Sequence, residues 1–126
     1  IINENDSVSV EEIKIGDNDT LAAQSAILWS ADLLILFTDI DGLYTKNPAE
    51  DPGAEFVAEI RDFEELRKNI TIGSPGNVGT GGIATKISAA ELAAGFGIST
   101  VVAHGGRPRA LEALVSGAQR GTVFLA

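Results

Sequence analysis

The chain has 126 residues, 9 lysines and arginines against 18 aspartates and glutamates, a formal net charge of −9 and no cysteine. That balance excludes the broad basic surface which holds a nucleic-acid backbone, and the missing thiols exclude disulfides and thiolate metal sites. No apolar run approaches the ~20 residues of a membrane span and no basic-then-apolar leader is present, so a cytoplasmic globular domain, or a piece of one, is expected.

In chain order, Ile1-Ile2 before Asn3-Glu4-Asn5-Asp6 reads as the end of a buried strand running into a polar loop. A chain seldom begins in mid-element, so the sequence is expected to be a fragment. Val8-Ser9-Val10 and Ile13-Lys14-Ile15 alternate like a small hairpin. Gly16-Asp17-Asn18-Asp19-Thr20 opens a helix that runs through Leu21, Ala22, Ala23, Ala26, Ile27 and Leu28 to about Ala31. Leu33 to Phe37 is an uninterrupted apolar run, the mark of a strand buried on both faces, and it stops at the polar turn Thr38-Asp39-Ile40-Asp41-Gly42. A weaker strand from Phe56 to Ile60 precedes a short helix from Asp62 to about Lys68 and a strand-like run from Asn69 to Ile72. The glycine-rich loop Gly79 to Lys86 leads into a helix from Ile87 to Gly97. A buried strand, Thr100 to Ala103, ends at His104-Gly105-Gly106; a helix from about Pro108 to Ser116 and a last strand from Thr122 to Leu125 follow. Alternating strands and helices predict an α/β domain with a largely parallel sheet. Ligands of such sheets bind beyond the carboxyl ends of the strands, where the polar clusters after Ile2, Phe37 and Ala103 would lie.

The glycine loop carries the strongest chemical signal. Three glycines at a helix N-terminus expose backbone N–H groups to an anion, and Lys86 adds a mobile positive charge, which describes a phosphate cradle. No G-x-x-x-x-G-K-[ST] is present. The loose dinucleotide fingerprint Gly79-x-Gly81-x-x-Ala84 lacks both the strand leading into it and the acid that should follow. A flexible surface turn is the plain alternative. Asn3, Asn5 and Asp6, and then Asp17, Asn18 and Asp19, form two clusters of amides and carboxylates suited to an amino acid's ammonium and carboxylate groups. Asp17 as a simple helix cap explains part of the second cluster. An Asx turn and a ligand contact both account for Thr38-Asp39. Tyr44 and Trp29 read as packing aromatics, Trp29 in the core, while Arg107 and Arg109 read as solvated. The lone His104 has no partner for a zinc site or a triad, so strand-end packing is expected there. Phosphoryl transfer needs least from such a set, because it works by positioning and charge neutralisation. A carboxylate acceptor, with a pKa of ~4.3, requires no general base.

Thr38-Asp39-Ile40-Asp41-Gly42-Leu43-Tyr44-Thr45-Lys46-Asn47-Pro48 resembles the TD-x-x-G-[LV]-Y-T-x-[DN]-P segment of the amino acid kinase superfamily, of which uridylate kinases and aspartokinases carry close versions. Ile2 to Asp6, Gly16 to Asp19 and Gly79 to Lys86 resemble the glutamate 5-kinase family, in its order and across essentially the whole chain. The resemblance implies a three-layer α/β/α fold and transfer of the ATP γ-phosphoryl group to the side-chain carboxylate of L-glutamate, the first step of proline biosynthesis. It implies that Asp6 and Asn18 bind glutamate, with Asn3 and Asp17 lining the pocket, and that Asp19 orients the catalytic lysines. Thr38, Asp39, Thr80, Gly81, Gly82, Ile83, Ala84, Thr85 and Lys86 would bind ATP, with Lys86 stabilising the transferring group. Magnesium would travel with the nucleotide phosphates, not in a protein metal site. A homo-oligomer and proline as feedback inhibitor belong to the same implication.

The family's domain begins with a strand bearing another catalytic lysine, a glycine-rich phosphate loop and part of the glutamate pocket, all of which would precede Ile1. Residues 1–126 would then be the C-terminal, ATP-binding portion of the kinase domain, without the RNA-modification-type (PUA) domain of many members, and inactive alone. The competing readings are a non-catalytic nucleotide- or amino-acid-binding module, another member of the superfamily, and an unrelated Rossmann-like oxidoreductase, which the spacing disfavours.

Overall fold

The structure is a computed structural model that describes residue 2 and residues 18–72 and 81–126. Its elements, in order, are α1 (Asn18–Leu28), β1 (Leu33–Thr38), β2 (Leu43–Tyr44), β3 (Phe56–Val57), β4 (Glu59–Ile60), α2 (Phe63–Ile72), α3 (Gly81–Ala94), β5 (Ser99–His104), α4 (Ala110–Val115) and β6 (Thr122–Phe124). The expected hairpin over residues 8–15 and the start of the glycine-rich loop, residues 79 and 80, lie outside the described residues.

Small side chains set the central packing. Ala23 and Ala26 of α1 and Ala89, Ala90 and Ala93 of α3 are buried, and the two helices lie against each other. Alanine has no side-chain entropy to lose in a helix and lets two backbones come close. The helices run in the same direction: Asp19 meets Thr85 at one end, and Ile27 and Leu28 share a groove with Leu92 and Phe96 at the other. Each helix then turns back through four residues, 29–32 or 95–98, into its strand. β1 and β5 pair in parallel, Leu33 opposite Ser99 and Thr38 opposite His104. A spacing of 66 residues therefore relates the first helix and strand to the second.

The sheet order is β1-β5-β6-β4, with β5 and β6 antiparallel and the β1–β5 and β4–β6 pairs parallel. The α/β class and the mostly parallel sheet are as expected. Val102 and Phe124 are fully buried, and the Phe124 ring stacks on Phe63 of α2 with centroids 5.9 Å apart. Complete burial of one such phenylalanine stabilises by roughly 1.5–3 kcal/mol. β2 and β3 form a separate antiparallel pair, tied to the sheet by Thr122. The buried Thr122 hydroxyl accepts the Leu43 N–H at 2.8 Å and donates to the Val57 carbonyl at 2.7 Å. Gly42 makes this approach possible: its φ is +152°, and a Cβ there would come within 2.5 Å of the Thr122 oxygen.

Several expectations are corrected. Residues 69–72 continue α2 and form no strand: the three β-branched residues there extend a helix already capped by Asp62, which accepts the N–H groups of Glu64 and Glu65. The run from Phe56 to Ile60 splits into β3 and β4, whose partners are β2 and β6. α1 ends at Leu28, and α4 begins only at Ala110, after Arg109 in a left-handed conformation. β1 is buried at Leu34 and Leu36 but exposed at Leu33 and Phe37, since among the described strands it lies at the sheet edge. Trp29 is not core; it sits in the turn after α1 and is 71% exposed.

Thr122→Val keeps the volume but leaves the Leu43 N–H and Val57 carbonyl without their buried partner. A loss of about 1–3 kcal/mol in urea unfolding is expected, with Thr122→Ser recovering most of it.

Candidate active site

The four-residue turns decide where the polar groups gather. A helix that reverses directly into its strand has its N-terminus at the strand's carboxyl end, so the starts of α1 and α3 lie at the same rim as Thr38, Asp39 and His104. This is the rim at which α/β sheets bind ligands.

Asp19 stands in the first turn of α1, where a carboxylate is favoured by the helix dipole. Its Oδ2 accepts two hydrogen bonds from α3, one from Lys86 Nζ at 3.0 Å and one from Thr85 Oγ1 at 2.9 Å. Lys86 is 12% exposed and Asp19 18%, so both charges are largely withdrawn from water. Such a pair is retained at a desolvation cost that its attraction only partly offsets. It does, however, fix a lysine ammonium beside the rim, with one of its three protons placed on Asp19.

α3 starts six residues earlier than expected, at Gly81, so Gly81 to Lys86 are helical and not a preceding loop. Glycine's poor helix propensity points to a loop when read alone. An N-terminal turn nonetheless offers N–H groups that the helix itself does not use, and residues 81–84 form that turn. Ile83 and Thr85 are half-buried and Ala84 is exposed. Asn18, exposed at the start of α1, is next to the ion pair in sequence.

The second part of the rim follows β1. The Gly105 N–H donates to the Thr38 carbonyl at 2.9 Å, and the Thr38 hydroxyl donates to the exposed Asp39 carboxylate at 3.2 Å. Tyr44 packs edge-on against Phe56, with centroids 5.3 Å apart. His104 holds the turn after β5 by accepting the Gly106 N–H at Nδ1, 3.0 Å away. Beyond Tyr44, the Gly53 N–H and then Lys46 hold the Asp51 carboxyl below the usual carboxylate range. Asn3, Asp6, Asp17 and Thr80 lie outside the described residues.

Sequence reasoning missed Gln119 and Arg120. Arg120 Nη2 donates to the Tyr44 hydroxyl at 2.7 Å and faces Asp41 Oδ2 at 3.5 Å, while its guanidinium lies 4.3 Å from the centre of the Phe56 ring. Arg107 approaches Asp41 Oδ1 at 3.8 Å. Gln119 Nε2 donates to the His104 carbonyl at 2.7 Å. Nothing local marks these residues; Arg120 and Asp41 are 79 positions apart.

Among the described residues, a carboxylate in the first turn of α1 and a lysine one turn into α3 lie at the same rim of the sheet as the polar turn that follows β1. Residues 1–104 match the model of the amino acid kinase family, and the chain belongs to that family. Its curated relatives include glutamate 5-kinases from Alkaliphilus metalliredigens, 52% identical over 100% of this chain and 48% of that protein, and from Trichlorobacter lovleyi, 52% identical over 99% and 33%. The glutamate 5-kinase of Streptococcus suis is 48% identical over 100% of the chain and 35% of its own length. The chain thus spans a third to a half of the relatives it matches. Among solved structures, UMP kinase from Ureaplasma parvum shares the fold with a TM-score of 0.65 at 19% identity, over 88% of this chain and 43% of that one. Carbamate kinase from Giardia lamblia, bound to AMP-PNP, follows at 0.61 and 20%, over 86% and 32%.

If the Asp19–Lys86 pair is held by mutual satisfaction, losing one member costs more than losing both charges. Lys86→Met is expected to destabilise by about 1–3 kcal/mol in urea unfolding, and Asp19→Asn combined with Lys86→Met is expected to recover most of that.

Proposed function

We propose that the whole protein transfers the γ-phosphoryl group of ATP to the side-chain carboxylate of L-glutamate, giving L-glutamyl 5-phosphate for proline biosynthesis, and that this chain is the ATP-binding portion of its kinase domain. The observation that carries the proposal is the Lys86–Asp19 pair at 3.0 Å, set at the rim where two helix N-termini and a strand-end turn converge. Relatives named glutamate 5-kinase at 44–52% identity support the choice of substrate.

The residues fit a nucleotide. Lys86 carries positive charge one turn into α3, close behind the N-terminal turn whose backbone N–H groups also favour phosphate, in an acidic chain. Bound ATP supplies the phosphoryl group. A glutamate carboxylate oxygen forms the new bond to phosphorus as the bridging oxygen departs with ADP, and no proton need be removed from the nucleophile. Lys86 neutralises charge on the moving group. Asp19, fixed by the Thr85 hydroxyl, keeps that ammonium in place instead of letting it follow the phosphate. Thr38, Asp39 and residues 80–86 are assigned to ATP; Asn18 and Asp17, with Asn3 and Asp6, are assigned to glutamate. Mg²⁺ would be held through the nucleotide phosphates. The likeness to glutamate 5-kinases extends the proposal to a cytoplasmic homo-oligomer inhibited by proline. Among the described residues, no helix is long and apolar enough to cross a membrane.

A hydroxamate assay on the whole protein tests this reading; ATP binding without glutamyl phosphate formation would leave a binding module instead. Lys86→Ala is expected to lower kcat by roughly 100-fold or more with a smaller change in the KM for ATP, because its interaction strengthens in the transition state. Weaker ATP binding with kcat intact would make Lys86 a simple phosphate anchor.

Asn18→Ala and Asp19→Asn separate the two neighbours. The first is expected to raise the KM for glutamate and spare that for ATP. The second is expected to depress kcat with modest KM changes, since an amide cannot pair with an ammonium as a carboxylate does. Identical steady-state signatures would reduce the segment to a helix cap.

A further inference from the structure

The turn after β1, from Thr38 to Tyr44, is not held by its own strand pair alone. The stretch Gln119 to Thr122, just before and into β6, holds it at two points and is itself anchored to the neighbouring strand β5 at a third. From below, the buried Thr122 hydroxyl takes the Leu43 N–H at 2.8 Å, in the space that Gly42 leaves open. From the side, Gln119 Nε2 ties the same stretch to the His104 carbonyl, beside Thr38 in the sheet register. From outside, Arg120 bonds the Tyr44 hydroxyl at 2.7 Å, faces Asp41 at 3.5 Å and places its guanidinium carbon 4.3 Å from the centre of the Phe56 ring.

We propose that Arg120 is a positioning residue for nucleotide binding: it clamps the turn that carries Thr38 and Asp39 into the shape that receives ATP. The inference rests on the assignment of that turn to ATP under the proposed function. The chemistry suits a clamp. Arg120 Nη2 directs its protons at the Tyr44 hydroxyl and Asp41 while the guanidinium carbon stands over the Phe56 ring, a two-sided hold that a lysine ammonium matches poorly. With the Arg120 side chain 57% exposed, its ion pair with Asp41 adds little stability. Its effect is orientational: it joins Asp41 and Tyr44, on either side of Gly42, to a single rigid group. Loss of Arg120 then loosens the turn before ATP binds and leaves the transition-state contacts of Lys86 untouched.

In the whole protein, Arg120→Ala is expected to weaken ATP binding about three- to tenfold, by calorimetry and as KM, with kcat and the KM for glutamate within about twofold. Arg120→Lys should fall between the variant and the parent. Tyr44→Phe should weaken ATP binding less than Arg120→Ala, and the double variant should bind no worse than Arg120→Ala alone, because the two share one interaction. A lower unfolding temperature with ATP affinity unchanged overturns the proposal, as does an effect on kcat alone. If Arg120→Ala does not fold, unchanged ATP affinity in both Arg120→Lys and Tyr44→Phe overturns it equally. A parent protein that binds ATP but does not phosphorylate glutamate defeats the substrate assignment, while the Arg120 affinities still decide the clamp.

Discussion

The close packing of α1 on α3 is the constraint from which the rest follows. Ala23 and Ala90, both fully buried, leave no bulk between the helices. Two parallel helices that touch through alanines bring their N-terminal halves within the reach of one side chain. Asp19 and Lys86 can therefore meet although they are 67 residues apart. A leucine at either alanine would force the axes apart, and overpacking of this kind typically costs 1–3 kcal/mol. It would also widen the distance between the two charges, so the same substitution would strike stability and site together.

That coupling explains why a largely buried ion pair persists where an apolar pair would pack more cheaply. Withdrawing a carboxylate and an ammonium from water is unfavourable, and the attraction between them rarely does more than offset it. Thr85 tips the balance locally by satisfying the same carboxylate oxygen. What the arrangement gains is position. An ammonium pinned at a sheet rim is pre-organised for an incoming anion, and no solvent shell has to be rearranged when charge develops there.

The α/β class was legible because the two strongest signals in the chain are also structurally simple. The runs Leu33 to Phe37 and Thr100 to Ala103 are strands, and both end in polar turns at one rim. Asp19 and Lys86 were each noticed for local reasons, one at a helix start and one after glycines. The errors fall where sequence neighbours do not decide. Trp29 is apolar but sits where the chain leaves a helix, and β1 looks doubly buried although it lies at the edge of the described sheet. Glycines at 81 and 82 argued for a loop, yet their place in a helix start is set by packing further along, at Ile87 and Ala90. Arg120 was invisible for a different reason: its partners, Asp41, Tyr44 and Phe56, reach it only through the pairing of β6 with β5 and β4.

The equal turns that follow α1 and α3 carry one more implication. Each reverses the chain in four residues, and the strands they feed are locked together in register. Adding one residue to either turn would rotate its helix by about 100° relative to its strand. The alanine face would swing off its partner and the acidic or basic residue would leave the rim. The loop over residues 46–54, between β2 and β3, is under no such phase requirement. Insertions and deletions during divergence should therefore accumulate there, while the two short turns stay the same length, like the matched teeth of a pair of gears.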